Sequence, residues 1–223
     1  MMVKKRKLKY EMAKSNLIKK DWSQFKLLGG SPCLDFANTV ERDESGYSEE
    51  WLTSYVDLIG WGEHTQLLTA QEAENFLSEA TMHLSAARNV FERAIAFREV
   101  IYKIFSAIAA KRPVCEDDLA SFNKTLSETL NYLQIAPTAD GFTWTWVNSE
   151  DRLDLILWKI IDSAAELLTA TTLNRVRECA ADDCSFLFID LSRNNRRCWC
   201  DMEDCGNRFK AKRYYEKSKN RRC

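Results

Sequence analysis

The chain predicts an α+β protein: a mainly α-helical N-terminal domain carrying one β-hairpin, followed by a small four-cysteine module. Three observations carry this expectation. Apolar residues recur at three- and four-residue steps through most of the chain before the cysteine-rich end, which is the helical period. One stretch, YLQIAPTADGFTWTWV, changes to alternation around an Asp140-Gly141 turn, with Phe142, Trp144 and Trp146 set against Thr143 and Thr145. Finally, Cys179 and Cys184, then Cys200 and Cys205, form two close pairs near the C-terminus.

Taken in order, FKLLGGSPCLDFANTVE reads as an apolar approach, a Gly29-Gly30 turn, and an apolar segment from Cys33 to Val40 in or after which helix begins. Ser48, followed by Glu49 and Glu50, predicts the start of a helix through Trp51, Leu52, Tyr55, Leu58 and Ile59. Thr69 with Glu72 three residues on is a capping-box signal for the next helix. From Ser85 to Lys111, Val90, Ala94, Phe97, Ile101, Ile104, Phe105 and Ile108 define a long core helix stopped by Pro113. A helix from about Glu116 to Leu133 places Leu119, Phe122, Leu126 and Leu130 on one face. After the hairpin, helical spacing resumes at Leu153, Ile156, Leu157, Ile160, Ile161, Ala164 and Leu167.

Composition fits an ordinary globular chain of 223 residues, 45% hydrophobic and 29% charged, with too few Gly and Pro for a disordered one. No run of 18 apolar residues predicts a membrane span, and the basic start is not followed by an apolar stretch of signal-peptide type, so a cytoplasmic protein is expected. The formal charge of −1 conceals segregation: residues 1–20 carry +7, residues 193–223 carry +7, and the middle carries −15. Local potential rather than the total governs steering, so such a chain can present a cationic surface to a polyanion; the N-terminal run MMVKKRKLKY reads as a solvated tail, with a phosphate-contacting arm as the alternative. The organisation expected is a basic segment at 1–20, a helical domain at 21–172 and a metal module at 173–223, the last boundary falling between Thr169 and Arg177.

Within the module, each cysteine pair is separated by four residues and the pairs are joined by fifteen. Two tight turns each offering two thiols suit a tetrahedral ion, and four thiolates close its shell, so one structural Zn2+ with no open catalytic position is expected. Spacing alone leaves spare reduced thiols or disulfides as alternatives. Phe186, Phe188 and Leu191 suit a small hairpin with partners around Arg197 to Trp199, and Asp204 suits the cap of a helix from Cys205 onward.

The sequence RRCWCDMEDCGNRFKAKRYYEKSKNRR resembles the CGNR zinc finger, whose four letters stand here as Cys205, Gly206, Asn207 and Arg208. Upstream, GGSPCLDFANTV, from Gly29 to Val40, is similar to the Leu-Asp-Phe-x-Asn-Thr signature opening the helical ABATE domain that accompanies this finger in bacteria. The resemblance implies a stress-response transcription regulator with a treble-clef-like finger. The family reads Arg-Arg-Trp-Cys where this chain has Arg196-Arg197-Cys198-Trp199-Cys200, one residue longer. Matching from the Met202 side makes Cys200 the ligand and Cys198 the extra residue, which also keeps the pair spacing symmetric.

After the fourth ligand come Arg208, Lys210, Lys212, Arg213, Lys217, Lys219, Arg221 and Arg222 against one acid, Glu216. A solvated helix face normally mixes signs, so this imbalance points to phosphates. The expected nucleic-acid contacts are Arg196, Arg197, Arg208, Lys210, Lys212, Arg213 and Lys217, with DNA the partner and a homodimer able to add contacts. The alternative is a ligand-binding protein whose finger engages RNA or protein. No enzyme is expected: His64 and His83 lie in no metal or triad pattern, and no phosphate-binding or nucleophile motif occurs. Asp35, Asn38 and Thr39 inside an apolar segment must be satisfied, either by capping the next helix or by lining a ligand pocket. Such a pocket for a small-molecule effector would add Arg98, as partner of Asp35 or of an anion, and Trp61 as a wall.

Overall fold

The computed structural model describes residues 20–43, 46–147 and 152–220, with side chains described outside 43–48 and 216–220. The basic N-terminal segment up to residue 19 and the Lys217 side chain therefore lie outside the described residues. Among the described residues the α-helices are α1 Pro32–Ala37, α2 Tyr55–His64, α3 Ala70–Met82, α4 Leu84–Ala109, α5 Glu116–Leu130, α6 Leu155–Thr169 and α7 Asn207–Asn220. Three antiparallel strand pairs accompany them: β1 Val40–Asp43 with β2 Gly46–Glu50, β3 Leu133–Thr138 with β4 Gly141–Trp146, and β5 Val176–Glu178 with β6 Leu187–Ile189. The α+β reading, helical with small strand pairs and a C-terminal cysteine cluster, holds. No helix among the described residues is long and apolar enough to cross a membrane.

Two compact units interleave along the chain. The first takes the described residues up to Lys26, then 52–96 and 125–161. Its helix α2 starts where the Ser54 side chain accepts from the Asp57 amide, while the Asp57 carboxylate accepts from both the amide and hydroxyl of Thr53. That overturns Ser48 as the start: residues 46–50 pair as β2 with β1, so the helix waits for the next residue able to cap it. Helix α3 begins with the expected capping box of Thr69 and Glu72, and Glu72 also receives Lys159 at 3.1 Å. Gly62 lets α2 approach α6 closely, since a Cβ there would lie 2.6 Å from the Ile156 Cδ1. The hairpin stands on an aromatic base: Tyr132 stacks on the buried Trp158 at 4.4 Å, and Trp146 meets the same ring at 5.7 Å.

The second unit comprises 27–51, 97–124 and 162–223. The C-terminal half of α4 packs Phe97 on Phe122 of α5, with ring centroids 5.5 Å apart. Of the four apolar residues expected on one face of α5, Phe122 is buried, whereas Leu119 and Leu130 stay 41% and 47% exposed. The helix ends at Leu130, three residues early, because Leu133 is already paired with Trp146 in the hairpin. Helix α1 lies in this unit beside β6, placing the Asp35–Thr39 segment against the cysteine-rich module.

Candidate zinc centre and nucleic-acid face

The module starts from strand β5, which pairs with β6 in the register Val176 with Ile189, Arg177 with Phe188 and Glu178 with Leu187. This corrects the expected hairpin between Phe186–Leu191 and Arg197–Trp199. The strand preceding the first ligand takes that place, because Asp190 at the end of β6 turns the chain away. Its carboxylate accepts from the amides of Ser192 and Arg197, and Asn195 supplies a left-handed residue at φ 50° within that loop. Arg197 then lays its guanidinium over the Phe188 ring at 4.5 Å and donates to the carbonyls of Trp199 and Cys200.

Cys179 follows β5 directly, its amide bonded to the Phe186 carbonyl at 2.9 Å, and a tight turn from Ala181 returns Cys184 beside it. The second pair is brought over by the Ala180 amide, which donates to the Cys198 carbonyl at 2.8 Å. A wide helical turn, Met202–Gly206, then presents Cys205. Asp201 caps that turn through the Glu203 amide; Asp204, expected to be the cap, instead pairs with Arg208, and α7 starts only at Asn207. A Cβ at Gly206 would lie 2.6 Å from the Met202 sulfur, so the Met202 side chain packs closely over this glycine.

The outcome is a cluster in which the Sγ atoms of Cys179, Cys184, Cys200 and Cys205 all lie within 4.8 Å of one another. Cys184 and Cys200 are 3.7 Å apart, Cys200 and Cys205 3.6 Å. Four sulfurs about 2.3 Å from a tetrahedral zinc are separated by about 3.8 Å, so this spacing fits the ion. The electrostatics agree. Cys179 is drawn far down by the S–H groups of Cys184 and Cys200, while the thiolate it becomes pushes Cys184 and Cys200 up, and burial raises Cys205. Four thiolates this close need a cation to coexist. Cys198 stands outside the cluster, exposed, with its Sγ turned to the Arg196 carbonyl. The cluster thus draws on Cys200, as the symmetric spacing expects.

The cations sort into two groups. Arg208 meets Asp204 at 2.5 Å and Asp183 at 3.3 Å and donates to the Cys205 sulfur at 3.4 Å, while Lys212 meets Asp182 at 2.6 Å. The eight-to-one excess counted along the helix is therefore reduced in space, because the turn between the first two ligands contributes Asp182 and Asp183. With Arg197 engaged as described, Arg196, Lys210 and Arg213 remain exposed and without a side-chain partner among the described residues. Arg193, which the sequence reading passed over, joins them. Arg193, Asn194, Arg196, Arg197, Trp199 and Met202 line an open groove of about 440 Å³. The signal for Arg193 lay in its spacing: with Arg196 it flanks the turn-forming Asn194-Asn195 pair.

Four of the residues expected at a ligand pocket, Asp35, Asn38, Thr39 and Arg98, have partners within the second unit. Asp35 accepts from the Gly29 amide at 2.7 Å, and Gly29 in turn receives the Ile189 amide on its carbonyl at 2.9 Å. Asn38 grips Leu187 of β6 twice, donating to its carbonyl at 2.9 Å and accepting from its amide at 2.8 Å. Thr39 donates to the Phe36 carbonyl and accepts from Arg98, whose guanidinium makes a two-pronged pair with Glu50 at 2.8 and 2.6 Å rather than meeting Asp35. Trp61 belongs to the first unit and is fully buried, the other four to the second. Asn38 directly, and Asp35 through Gly29, thus tie α1 to strand β6 of the cysteine module, while Thr39 joins Phe36 to Arg98.

No curated protein matches the chain. Residues 175–218 match the family described as CGNR zinc finger, which covers the four clustered cysteines. Residues 30–171, more than half of the chain, match the family ABATE, described as "Putative stress-induced transcription regulator". Both descriptions name a regulator or a metal-binding module rather than an enzyme. With the Leu34 to Thr39 signature in place and a cysteine cluster able to bind one zinc ion behind it, the chain belongs to the ABATE family and carries a CGNR zinc finger.

Proposed function

We propose that the protein is a cytoplasmic transcription regulator that binds duplex DNA through its zinc finger, with Arg193, Arg196, Lys210 and Arg213 on the phosphates. The observation that carries this reading is the division of the finger's cations. Arg197, Arg208 and Lys212 are engaged with the finger's own carbonyls and carboxylates, and these four are exposed and unpaired among the described residues. An unpaired guanidinium or ammonium costs little to bring to a phosphate, whereas an engaged one must first leave its carboxylate. The zinc organises both groups without taking part in chemistry, since four thiolates leave no open position.

Binding to duplex DNA, RNA and polyglutamate across several salt concentrations tests the assignment. Four phosphate contacts give a log–log salt slope of about −3.6 on duplex DNA, at about −0.9 per contact. Changing Arg193, Arg196, Lys210 and Arg213 together to Gln should bring the slope close to zero with zinc retained. An unchanged slope in that variant, or equal binding to polyglutamate, removes the nucleic-acid reading.

A further inference from the structure

The hairpin β3–β4 has one apolar face that the described residues of the first unit leave exposed. In an antiparallel pair, alternate residues share a face, and the register sets Leu133 opposite Trp146, Ile135 opposite Trp144 and Pro137 opposite Phe142. At the Trp158 end this face is anchored, as described above. Beyond it, Ile135 is 52% exposed, Trp144 65% and Phe142 78%. These three residues leave on the order of 400 Å² of apolar surface per chain, within the range of the largest patch on a typical monomer. In a chain that is 29% charged, the stretch from Leu133 to Trp146 holds a single charged residue, Asp140, at the turn. Both strands also keep an outer edge with no ladder partner among the described residues.

We infer that this face is the interface of a homodimer, in which two hairpins pack through Ile135, Trp144 and Phe142 about a two-fold axis. A second copy fits for three reasons. A two-fold contact sets each patch against itself, which an uncharged patch permits without like charges meeting. Two copies of these three residues bury on the order of 800 Å², and Leu133, Pro137 and Trp146 at the margin extend this towards the ~1,200 Å² at which stable interfaces begin. The absence of charge disfavours nucleic acid and the basic segment at 1–20 as occupants, since neither finds a counter-charge there.

The test is the mass of the full chain in solution without DNA, so its outcome is independent of the nucleic-acid reading. Sedimentation equilibrium should give twice the 25.9 kDa of the single chain. Phe142→Glu with Trp144→Lys should give the single-chain mass, a rise of about a hundredfold or more in the dimer dissociation constant, with zinc content and helical signal unchanged. Leu84→Lys, at a position 72% exposed outside the hairpin, should leave the dimer intact. A wild-type chain of single mass at about 100 μM, or a dimer that survives the double substitution, overturns the proposal. If the wild type is single and becomes double only after residues 1–19 are removed, the chain's own N-terminus is the occupant and the proposal fails.

Discussion

The cysteine module is held at two ends by different physics. At one end four thiols converge within 4.8 Å, an arrangement that self-repulsion opposes unless a cation neutralises it. At the other, strand β6 is fixed to α1 by the paired Asn38–Leu187 bonds and the Gly29–Ile189 bond, with Leu187 fully buried. The first end depends on metal and the second does not. We expect zinc to govern the ligand-bearing turns on either side of β6, at 179–184 and 198–206, and α1 to govern where β6 sits.

The largest effect that separates the ends is loss of a ligand. Cys200→Ser should abolish stoichiometric zinc, removing on the order of 10 kcal/mol of coupled folding energy from the cluster, whereas Cys198→Ser should keep zinc at one per chain. Hydrogen exchange should then rise in the turns at 179–184 and 198–206 but remain slow at Leu187 and Ile189, whose amides bond to Asn38 and Gly29. Fast exchange at those two amides as well would mean that the ends are one cooperative unit. Conversely, Asn38→Ala leaves both backbone groups of Leu187 buried without partners and should cost about 3 kcal/mol by thermal or denaturant unfolding, with zinc content unchanged.

A smaller effect belongs to Cys33, whose thiol is fully buried in α1 and pushed up to about 11 by burial. The unfolded chain loses this proton near pH 9, while the folded protein keeps it until about pH 11. The unfolded state is therefore favoured progressively across that interval, and stability should fall by up to roughly 1.4 kcal/mol per pH unit as pH rises through it. Cys33→Ala should flatten that part of the pH profile; an unaltered profile would place the alkaline loss elsewhere. Smallest of all is Lys212→Gln, which breaks an exposed pair with Asp182 and should shift the melting temperature by less than about 2 °C.

Much of this was legible in the sequence because it rests on local rules. The capping box at Thr69, the long helix ending before Pro113, the hairpin at Asp140-Gly141 and the cysteine cluster all follow from residues a few positions apart. The errors share another cause. Ser48 has the composition of a helix cap, yet β1 and β2 claim it; Phe188 pairs backwards to Arg177 rather than forwards. Asp35, Asn38 and Thr39 were recognised as polar groups needing partners, but Asn38 finds its partner 149 residues away. No local pattern encodes such a distance. Charge was likewise legible as a count and not as an arrangement, since Asp182 and Asp183 reach α7 only after the cysteines bring the two turns together.

Asn38 carries a consequence for portability. An amide side chain is both donor and acceptor, so Asn38 presents to Leu187 what a neighbouring strand's backbone would present. Two-stranded β5–β6 is thereby completed by a side chain from another segment of the sequence. Residues 175–218 transplanted onto an unrelated carrier would bring every zinc ligand and still arrive with one strand edge raw. Such a graft would bind its metal and remain prone to pair that edge with whatever strand it met.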